Sequence, residues 1–533
     1  MAAGKLNRSI PRHPMAALLL PLLAAACGGD GPAVQQARGG TAVICMVAEP
    51  SGLNPFVSED QHAADLLPLL YSPLVHYGDS QELQPWLARS WEWDPEQRQI
   101  TFELRDDVRW HDGAPVTAED VAWTITSAAN PEYAYWQIED LMQLEGVDVL
   151  APNRVRVRFS EPPFAGLEAL AALPILPRHL LAGLTPEAFA QAAYHNEPVG
   201  SGPFRYGGRQ QGGAIVLERA ETFPAELGQP VLDRVVLRAI PEVSAQLVEL
   251  GTGSVHGCLM NAVAAEQALE EGTLEVLTLA LPNVQVIPLR NDRPPFNDPR
   301  VRRALSAALD RTEIAAVISE FARPAANFLP PENPFRADSL NQVNANPQLA
   351  GALLDSAGWR LDGQGEIRRN AAGQPLRFTI HGPAPYRDLL TVVQAQLRRA
   401  GMDAQLELLE PASYFGTLRD PATRPPAAMS LAFTPTRAVA FDPYPELHSE
   451  GQSNLSSYQS DAVDSLVHAL RSALDSEGRR RIYGALQSAV ATDVPTVYTV
   501  YVPRTFAHGA VLKGVRVGAD GPFSSAREWY LER

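Results

Sequence analysis

The stretch "VRWHDGAPVTAEDV", residues 108–121, holds the residue types whose spacing could do chemistry. His111 stands beside Asp112, and two more carboxylates follow at Glu119 and Asp120. A histidine close to carboxylates could bind a metal ion or act as an acid–base pair. The same residue types also build turns that lead into helices.

The local pattern favours the structural interpretation. Asp112–Gly113 is a turn dipeptide, and Thr117 is well placed as an N-cap with Asp120 in the capping-box position. Glu119 and Asp120 would then lie in the first helical turn, where the helix dipole favours negative charge. His111 and Asp112 are neighbours at a strand end and point to opposite faces, which is poor spacing for chelating one ion.

Composition limits the class of protein. The chain has 533 residues, too many for one core, so we expect two or three lobes. Apolar residues make up 45% and charged residues 20%, which is typical of a folded globular protein. The net charge of −17 disfavours nucleic acid as a partner. We expect a monomer.

The first residues read as a secretory signal. Three basic residues, Lys5, Arg8 and Arg12, precede "MAALLLPLLAAAC", which is too short to span a bilayer. The segment resembles a bacterial lipoprotein signal that ends before Cys27, with Ala24 where leucine is preferred. We expect residues 1–26 to be removed, Cys27 to be lipidated and residues 27–40 to be a flexible tether. The alternative is ordinary cleavage near residue 26 that leaves a free Cys27.

Two further cysteines lie in apolar runs, Cys45 in "TAVICMVAE" and Cys258 in "VHGCLM". The simpler interpretation is a pair of small buried hydrophobic residues. A bridge between them would require an oxidising compartment. The 11 histidines are scattered, with no pair spaced two or four residues apart, so we expect no metal or other cofactor.

Strand and helix patterns alternate through most of the chain, which predicts an α/β fold. "TAVICMVAE" predicts a buried strand, and "QITFELR" and "RVRVRFS" predict strands with one buried face. Long helical patterns cover residues 298–319, 346–358, 389–401 and 462–493. "VPTVYTVYV" predicts a buried strand that follows the last helix.

An ordered series of segments resembles the bacterial family 5 extracellular solute-binding proteins, the peptide, dipeptide and nickel receptors of ABC importers. The segments are "LQPWLARSWEWDPEQRQITFELRDDVRWHDGAPVTAEDV", "PVGSGPFRY", "NDRPPFNDPRVRRALSAALDRTEI", "ALLDSAGW", "AQLRRAGMDAQLELLE", "AFDPYPEL", "NLSSYQSDAVDSLV" and "RRIYGALQSAVATDVPTVYTVY". They cover roughly residues 41–510. One departure is "GTGSVHGCLM", where the family usually has an acidic pair.

The resemblance implies a bilobal periplasmic-binding-protein-like clamp (type II, cluster C), with two lobes and an extra domain around a hinge. Domain I would comprise residues 41–80, 203–288 and 500–533, domain II residues 81–202, and domain III residues 289–499. The implied function is binding of peptides between the lobes and delivery to the permease subunits of an ABC importer. A lipid anchor would hold the protein at the extracytoplasmic face of a membrane.

The resemblance also implies site residues. An Asp in the matching segment binds the ligand amine in peptide-binding relatives, and that residue is Asp442 here. Arg437 is a candidate for the ligand carboxylate, because arginine binds carboxylates with two hydrogen bonds. Candidates for lining side-chain pockets are the aromatic residues Tyr133, Tyr135, Trp136, Tyr414, Phe415 and Phe441. The alternatives are that Asp442–Pro443 only begins a turn and that the aromatic rings pack in the core.

Other functions stay open at this point. The same fold could bind a nickel chelate, haem or an oligosaccharide, or could serve as a ligand sensor. A secreted hydrolase would need an activated nucleophile. "PVGSGPF" has Val199 where a Gly-x-Ser-x-Gly elbow needs glycine, so no catalytic residue is predicted.

Overall fold

The computed structural model describes most of the chain after residue 37. The described residues are 38–58, 60–78, 82–135, 138–163, 166–270, 272–279, 283–331, 333–361, 366–410, 413–414, 417–418, 423–428, 430–432, 441–473, 475–518 and 521–532. Cys27 and most of the predicted tether lie outside these residues. So do three of the predicted ligand residues, Trp136, Phe415 and Arg437.

Strands are found throughout the described part of the chain. In chain order they are β1 (Thr41–Met46), β2 (Val75–Tyr77), β3 (Leu83–Pro85), β4 (Ala88–Trp93), β5 (Gln99–Leu104), β6 (Leu144–Ala151), β7 (Arg154–Phe159), β8 (Phe204–Arg209), β9 (Ile215–Arg219), β10 (Arg234–Ala239), β11 (Gly257–Met260), β12 (Leu274–Thr278), β13 (Asn283–Pro288), β14 (Arg323–Pro324), β15 (Arg377–Pro383), β16 (Asp403–Leu409), β17 (Ala427–Ala428), β18 (Ser430–Ala432), β19 (Thr496–Val502), β20 (Thr505–Gly509), β21 (Leu512–Lys513) and β22 (Tyr530–Leu531).

Helices occupy the four long segments predicted from periodicity, and further helices lie elsewhere in the described chain. They are α1 (Gln61–Leu70), α2 (Ala118–Ala128), α3 (Gly166–Ala172), α4 (Arg178–Leu181), α5 (Pro186–Ala190), α6 (Val243–Gly251), α7 (Ala262–Glu270), α8 (Pro299–Ala308), α9 (Arg311–Ile318), α10 (Pro347–Ser356), α11 (Arg387–Arg399), α12 (Tyr444–Leu447), α13 (Asp461–Arg471) and α14 (Ser476–Asp493). Within the described part of the chain, no helix combines the length and the apolar character needed to cross a membrane.

The largest sheet has seven strands in the order β12-β20-β11-β1-β10-β9-β8. β1 is central and runs parallel to both of its neighbours, β10 and β11. A strand bonded on both edges and covered by helices is buried on both faces, which explains its continuous apolar run. The buried strand predicted from "TAVICMVAE" is therefore confirmed.

Cys45 of β1 and Cys258 of β11 are direct register partners. Their Cα atoms are 4.4 Å apart, and the two residues form a disulfide. Both are fully buried. The sequence favoured two separate buried thiols, and the bridge that it left open is the arrangement present.

A four-stranded antiparallel sheet, in the order β4-β5-β7-β6, lies between α1 and β8 in the chain. Ile100, Phe102 and Leu104 of β5 are buried while the residues between them are partly exposed. Val155, Val157 and Phe159 of β7 are buried in the same alternating way. Both half-buried strands predicted from the sequence are confirmed.

A second group of elements follows β12. Its sheets have the orders β14-β19-β13-β18 and β16-β15-β17. Apolar residues of α8, α9, α10 and α11 pack with β13, β15 and β19 in a separate core. The buried strand predicted from "VPTVYTVYV" is β19.

The chain passes between the two main sheets twice. It leaves the seven-stranded sheet after Thr278 and enters the second sheet at Asn283, and it returns between Val502 and Thr505. Arg504, on the return passage, binds Asp65 of α1, with Nη1 3.0 Å from Oδ1. Its carbonyl oxygen accepts a hydrogen bond from the backbone N–H of Leu279 at 2.9 Å. The two passages are thus bonded to each other and to α1.

Candidate functional site

His111 is held by backbone groups of the segment around Ser201. Its Nδ1 accepts a hydrogen bond from the Gly200 N–H at 3.1 Å, and its Nε2 lies 3.0 Å from the Gly202 carbonyl oxygen. A neutral imidazole carries one N–H, so the proton is on Nε2 and is donated to Gly202. Burial lowers the pKa of His111 to about 4, although the Gly202 carbonyl acts in the opposite direction. A neutral ring with both nitrogens occupied has a structural role.

The neighbouring carboxylates are also occupied. Asp112 accepts a hydrogen bond from the Ala114 N–H and pairs with His179 Nε2 at 2.8 Å. Asp120 accepts from the Thr117 N–H and hydroxyl at 2.8 and 2.9 Å, which confirms the predicted capping box. The structural interpretation of residues 108–121 is confirmed.

The glycines on either side of Ser201 serve backbone packing. A side chain at Gly200 would overlap the Leu70 carbonyl oxygen, and one at Gly202 would overlap the end of α1. The Ser72 hydroxyl donates to the Ser201 carbonyl oxygen at 2.9 Å. Close backbone approach therefore explains the Gly-Ser-Gly sequence without a nucleophile.

Asp442, the residue predicted to bind a ligand amine, has two protein partners. Its Oδ1 accepts a hydrogen bond from the Tyr444 N–H at 3.0 Å, which is the turn interaction named as the alternative. Its Oδ2 accepts from Arg471 Nε and Nη2 at 2.8 and 2.6 Å. The Asp442 and Arg471 side chains are 18% and 16% exposed, so this ion pair is largely but not fully removed from water.

The surroundings of Asp442 are aromatic. Phe441 is buried, and its ring lies 5.9 Å from that of Phe328. The Tyr483 hydroxyl donates to the Phe441 carbonyl oxygen. Burial raises the pKa of Tyr483, and the negative charge of Asp442 raises it further. This hydroxyl therefore stays protonated and serves only as a fixed donor.

Tyr133 and Tyr135 lie in an aromatic cluster at the 3₁₀ turn Pro131–Tyr133. The Tyr135 ring is 5.1 Å from Phe56, and the Tyr133 ring is 5.3 Å from Phe189 and 6.3 Å from Trp123. Tyr135 is buried and Tyr133 is half-buried. The cluster joins the loop after β1 to the elements around α2 and α5.

Tyr414 is fully buried, and its hydroxyl lies 3.5 Å from the His381 carbonyl oxygen. Burial raises its pKa. Its described surroundings are thus those of a core residue. The Tyr133 and Tyr135 rings pack with the rings around Phe189, whereas Asp442 is held by Tyr444 and Arg471.

Sequence reasoning missed the partners that surround Asp442. Arg471 stacks on Tyr444, with its Cζ 4.2 Å from the ring centroid. Tyr444 in turn stacks on His448, and His448 Nε2 lies 3.1 Å from His468 Nε2. No local pattern could have found these contacts, because Asp442 and Arg471 are 29 residues apart and the two histidines 20 apart.

Other candidate sites lie elsewhere. A polar cavity of about 230 Å³ opens between the β2–β3 hairpin and the C-terminal segment, lined in part by His76, Arg516 and Glu528. None of the predicted ligand residues that the structure describes lines it. Across the described residues, no three or more His, Cys, Asp or Glu side chains are grouped so that they could hold a metal ion.

Comparison with known proteins gives relatives over nearly the whole chain. The oligopeptide-binding protein AppA of Bacillus subtilis (strain 168) is 24% identical over 537 residues, which is 97% of each chain. The nickel-binding periplasmic protein of Escherichia coli (strain K12) is 26% identical over 394 residues, or 72% of each chain.

A solved structure has the same fold. The Bacillus subtilis AppA structure, in complex with a nonapeptide, superposes with a TM-score of 0.78 at 23% identity, covering 94% of this chain and 100% of that one. The predicted α/β class is therefore confirmed. The family model of the bacterial extracellular solute-binding proteins, family 5 (middle), matches residues 82–445. This chain belongs to the family 5 bacterial extracellular solute-binding proteins.

Proposed function

We propose that this protein is the solute-binding component of an ABC importer and that its solute is a small peptide. The observation that carries the proposal is the match to an oligopeptide-binding protein over 97% of both chains. The two passages between sheets support a hinge, because the chain crosses from one sheet to the other through two short segments, after Thr278 and after Val502. Closure around the ligand would present one conformation to a membrane permease.

The proposed domains use the boundaries expected from the sequence. Domain II, residues 81–202, contains the sheet β4-β5-β7-β6, and the seven-stranded sheet belongs to domain I. β13 pairs with β18, and Val500 and Tyr501 of β19 pair with β14, so both strands bond to strands of domain III. This supports a hinge just before Asn283, a few residues ahead of the boundary drawn at 288, and another within 502–505, just after the one drawn at 500.

Within the cleft, Asp442 is the proposed acceptor of the ligand amine. Its Oδ1 has the Tyr444 N–H as its hydrogen-bond donor, and a carboxylate oxygen can accept two hydrogen bonds. Arg437 remains the proposed partner of the ligand carboxylate, and Trp136 and Phe415 remain proposed pocket residues. The burial of Tyr135, Tyr414 and Phe441 favours packing as their main role, with Tyr133 at the edge of its cluster.

The protein is proposed to be a monomeric lipoprotein without catalytic activity. Lipid on Cys27 would anchor it to a membrane through the tether, with the folded part outside the cytoplasm. The buried Cys45–Cys258 disulfide supports an oxidising compartment. Incorporation of labelled fatty acid that is lost in Cys27→Ser would support the anchor, and equal labelling of both proteins would contradict it.

A second candidate keeps the fold and changes the solute. It is favoured by the relative from Escherichia coli, a nickel-binding protein that is 26% identical over 72% of the chain. A metal chelate would bind in the same cleft without a dedicated metal site. Haem and oligosaccharides belong to this candidate as well, and a sensor role would use the same site without a permease.

A thermal-shift screen separates these candidates. The purified protein is heated with di- to pentapeptides, nickel–histidine chelate, haem and oligosaccharides. A ligand at 100 times its Kd stabilises the folded form by about 2.7 kcal/mol, so we expect a clear rise in Tm with free-amine peptides. A rise with a non-peptide solute alone would replace the peptide by that solute.

A further inference from the structure

Two histidine rings face each other beside the proposed ligand site. The Nε2 atoms of His448, just after α12, and His468, in the last turn of α13, are 3.1 Å apart. Their planes are nearly perpendicular, at 80°. His448 is buried, whereas His468 is exposed on its other side. Two imidazole nitrogens at this distance share either a metal ion or a proton.

The second nitrogen of His448 decides between the two. Its Nδ1 accepts a hydrogen bond from the Glu450 backbone N–H at 3.1 Å. The proton of neutral His448 is therefore on Nε2 and is donated to His468 Nε2. A metal ion on His448 Nε2 would force the proton onto Nδ1, where it would meet the Glu450 N–H. With both rings uncharged, the pair forms an N–H···N hydrogen bond.

A continuous stack connects this pair to Asp442. The Tyr444 ring lies parallel to His448, with centroids 4.2 Å apart and planes at 15°. The Arg471 Cζ atom lies 4.2 Å from the centroid of the same Tyr444 ring. Arg471 also donates two hydrogen bonds to Asp442 Oδ2. A movement of His448 would therefore displace Tyr444 and, through it, Arg471, which holds the Asp442 carboxylate.

A second proton on His468 is incompatible with this arrangement. It would occupy Nε2 and point at the proton of His448, so the exposed His468 ring must turn away. Asp464, one turn earlier on α13, attracts the new charge; its Oδ1 lies 4.0 Å from His448 Nε2 and already accepts the Ser449 N–H. Arg471, one turn later, repels it.

Charged groups from two other helices act on the Tyr483 hydroxyl, as Asp442 does. They are Arg479 of α14 and Glu168 of α3. Glu450 contributes its backbone N–H to the His448 ring. A cation formed at His468 adds positive charge beside the Asp442–Arg471 pair, which disfavours the arrival of a ligand ammonium group.

We infer that His468 is a positioning residue for ligand capture: through His448, Tyr444 and Arg471, its protonation weakens the hold of Asp442 on a free-amine ligand. Capture is then stronger with an uncharged His468 than with a charged one, so it weakens when the pH is lowered. The inference rests on the proposed function, because it requires Asp442 to contact the ligand.

The test compares ligand affinity at pH 7.0 and pH 5.5. The probe is the free-amine peptide that raises Tm most in the screen above. Its amine is protonated and its carboxylate ionised at both values, so its own charge stays almost constant. We expect wild-type affinity to fall about fivefold at pH 5.5, which is the lower end of usual coupling between sites. In His468→Gln the fall should be below about twofold, since an amide oxygen accepts the His448 proton but gains no charge.

The matched control is His179→Gln, whose ring pairs with Asp112 far along the chain and outside the stack. It should keep the wild-type ratio. A pH-independent wild-type affinity, or equal ratios in wild type and His468→Gln, would overturn the inference and leave peptide binding intact. Absence of peptide binding at both values would overturn the proposed function itself, and this inference with it.

A ligand-free readout covers the case in which His468→Gln does not fold. ¹⁵N spectra of histidine-labelled wild-type protein at pH 7.5 should show the proton of His448 on Nε2 and that of His468 on Nδ1. On acidification, the signals of His468 and His448 should change together. A His448 ring protonated on Nδ1 at pH 7.5 would overturn the inference.

Discussion

Asp442 holds a backbone N–H with one oxygen and a guanidinium group with the other. Its pairing with Arg471 weakens the attraction that a lone carboxylate would exert on a ligand ammonium group. Micromolar affinity for the proposed peptide requires about 8 kcal/mol, most of which hydrogen bonds to its main chain would supply. In this proposal, Asp442 selects for a free amine more than it sets total affinity.

Replacing this carboxylate tests the selection. Asp442→Ala should weaken binding of free-amine peptides about 10- to 100-fold, as expected when one partner of a hydrogen-bonded charge pair is removed. N-acetylated forms of the same peptides should lose less than about threefold. Calorimetric titration of both peptide sets gives the ratio. Asp442→Asn, which keeps an acceptor for the Tyr444 N–H, controls for loss of the turn, and equal losses for both sets would remove Asp442 from the amine site.

The lowered pKa of His111 predicts that the free energy of unfolding depends on pH. Its pKa is lowered from 6.5 to about 4, so between these values the unfolded chain binds a proton that the folded chain does not. The contribution of His111 is therefore fully present above pH 6.5 and is lost as the pH falls towards 4. At pH 5, the free energy of unfolding has lost about 2 kcal/mol through His111.

Urea unfolding at pH 7 and pH 5 measures this contribution. The difference in unfolding free energy should be about 2 kcal/mol smaller in His111→Gln than in wild type. His179→Gln should keep the wild-type difference, because its exposed ion pair with Asp112 contributes little. The same pH dependence in His111→Gln and wild type would show that His111 is not the responsible group.

At the scale of elements, helix boundaries were the weakest part of the sequence prediction. The helical patterns over 298–319 and 462–493 each form two helices, divided before α9 and before α14. Asp310 and Asp475 begin the second helix of each pair by accepting hydrogen bonds from backbone N–H groups. Apolar periodicity continues across such a break, whereas an N-cap residue inside the pattern marks it.

The disulfide between β1 and β11 is predicted to stabilise the folded protein. Cys45 and Cys258 close a loop of 213 residues, so their disulfide strongly restricts the unfolded chain. Replacing both by alanine should lower the free energy of unfolding by about 3–5 kcal/mol. Thermal unfolding with and without dithiothreitol provides the measurement. Wild type that is insensitive to the reductant and as stable as the double variant would contradict the bridge.

Across the whole chain, the sequence predicts those features that depend on residues close together in the sequence. The buried β1, the half-buried β5 and β7 and the capping box at Thr117 were predicted because period and caps depend on neighbours. The ion pair of Asp442 and the pair of facing histidines were not, because only the tertiary fold brings them together. The sequence thus proposed one residue of the candidate site, and the structure shows the contacts of that residue.

The proposed function requires a clamp that binds one solute reversibly and leaves the covalent bonds of that solute intact. Native mass spectrometry of the wild-type protein with the best peptide from the screen tests this most directly. We predict one intact peptide per chain, recovered unchanged and in full after release and prolonged incubation. Accumulation of cleaved or modified peptide beyond the amount of protein, or retention of no solute from the whole screen, would contradict the account.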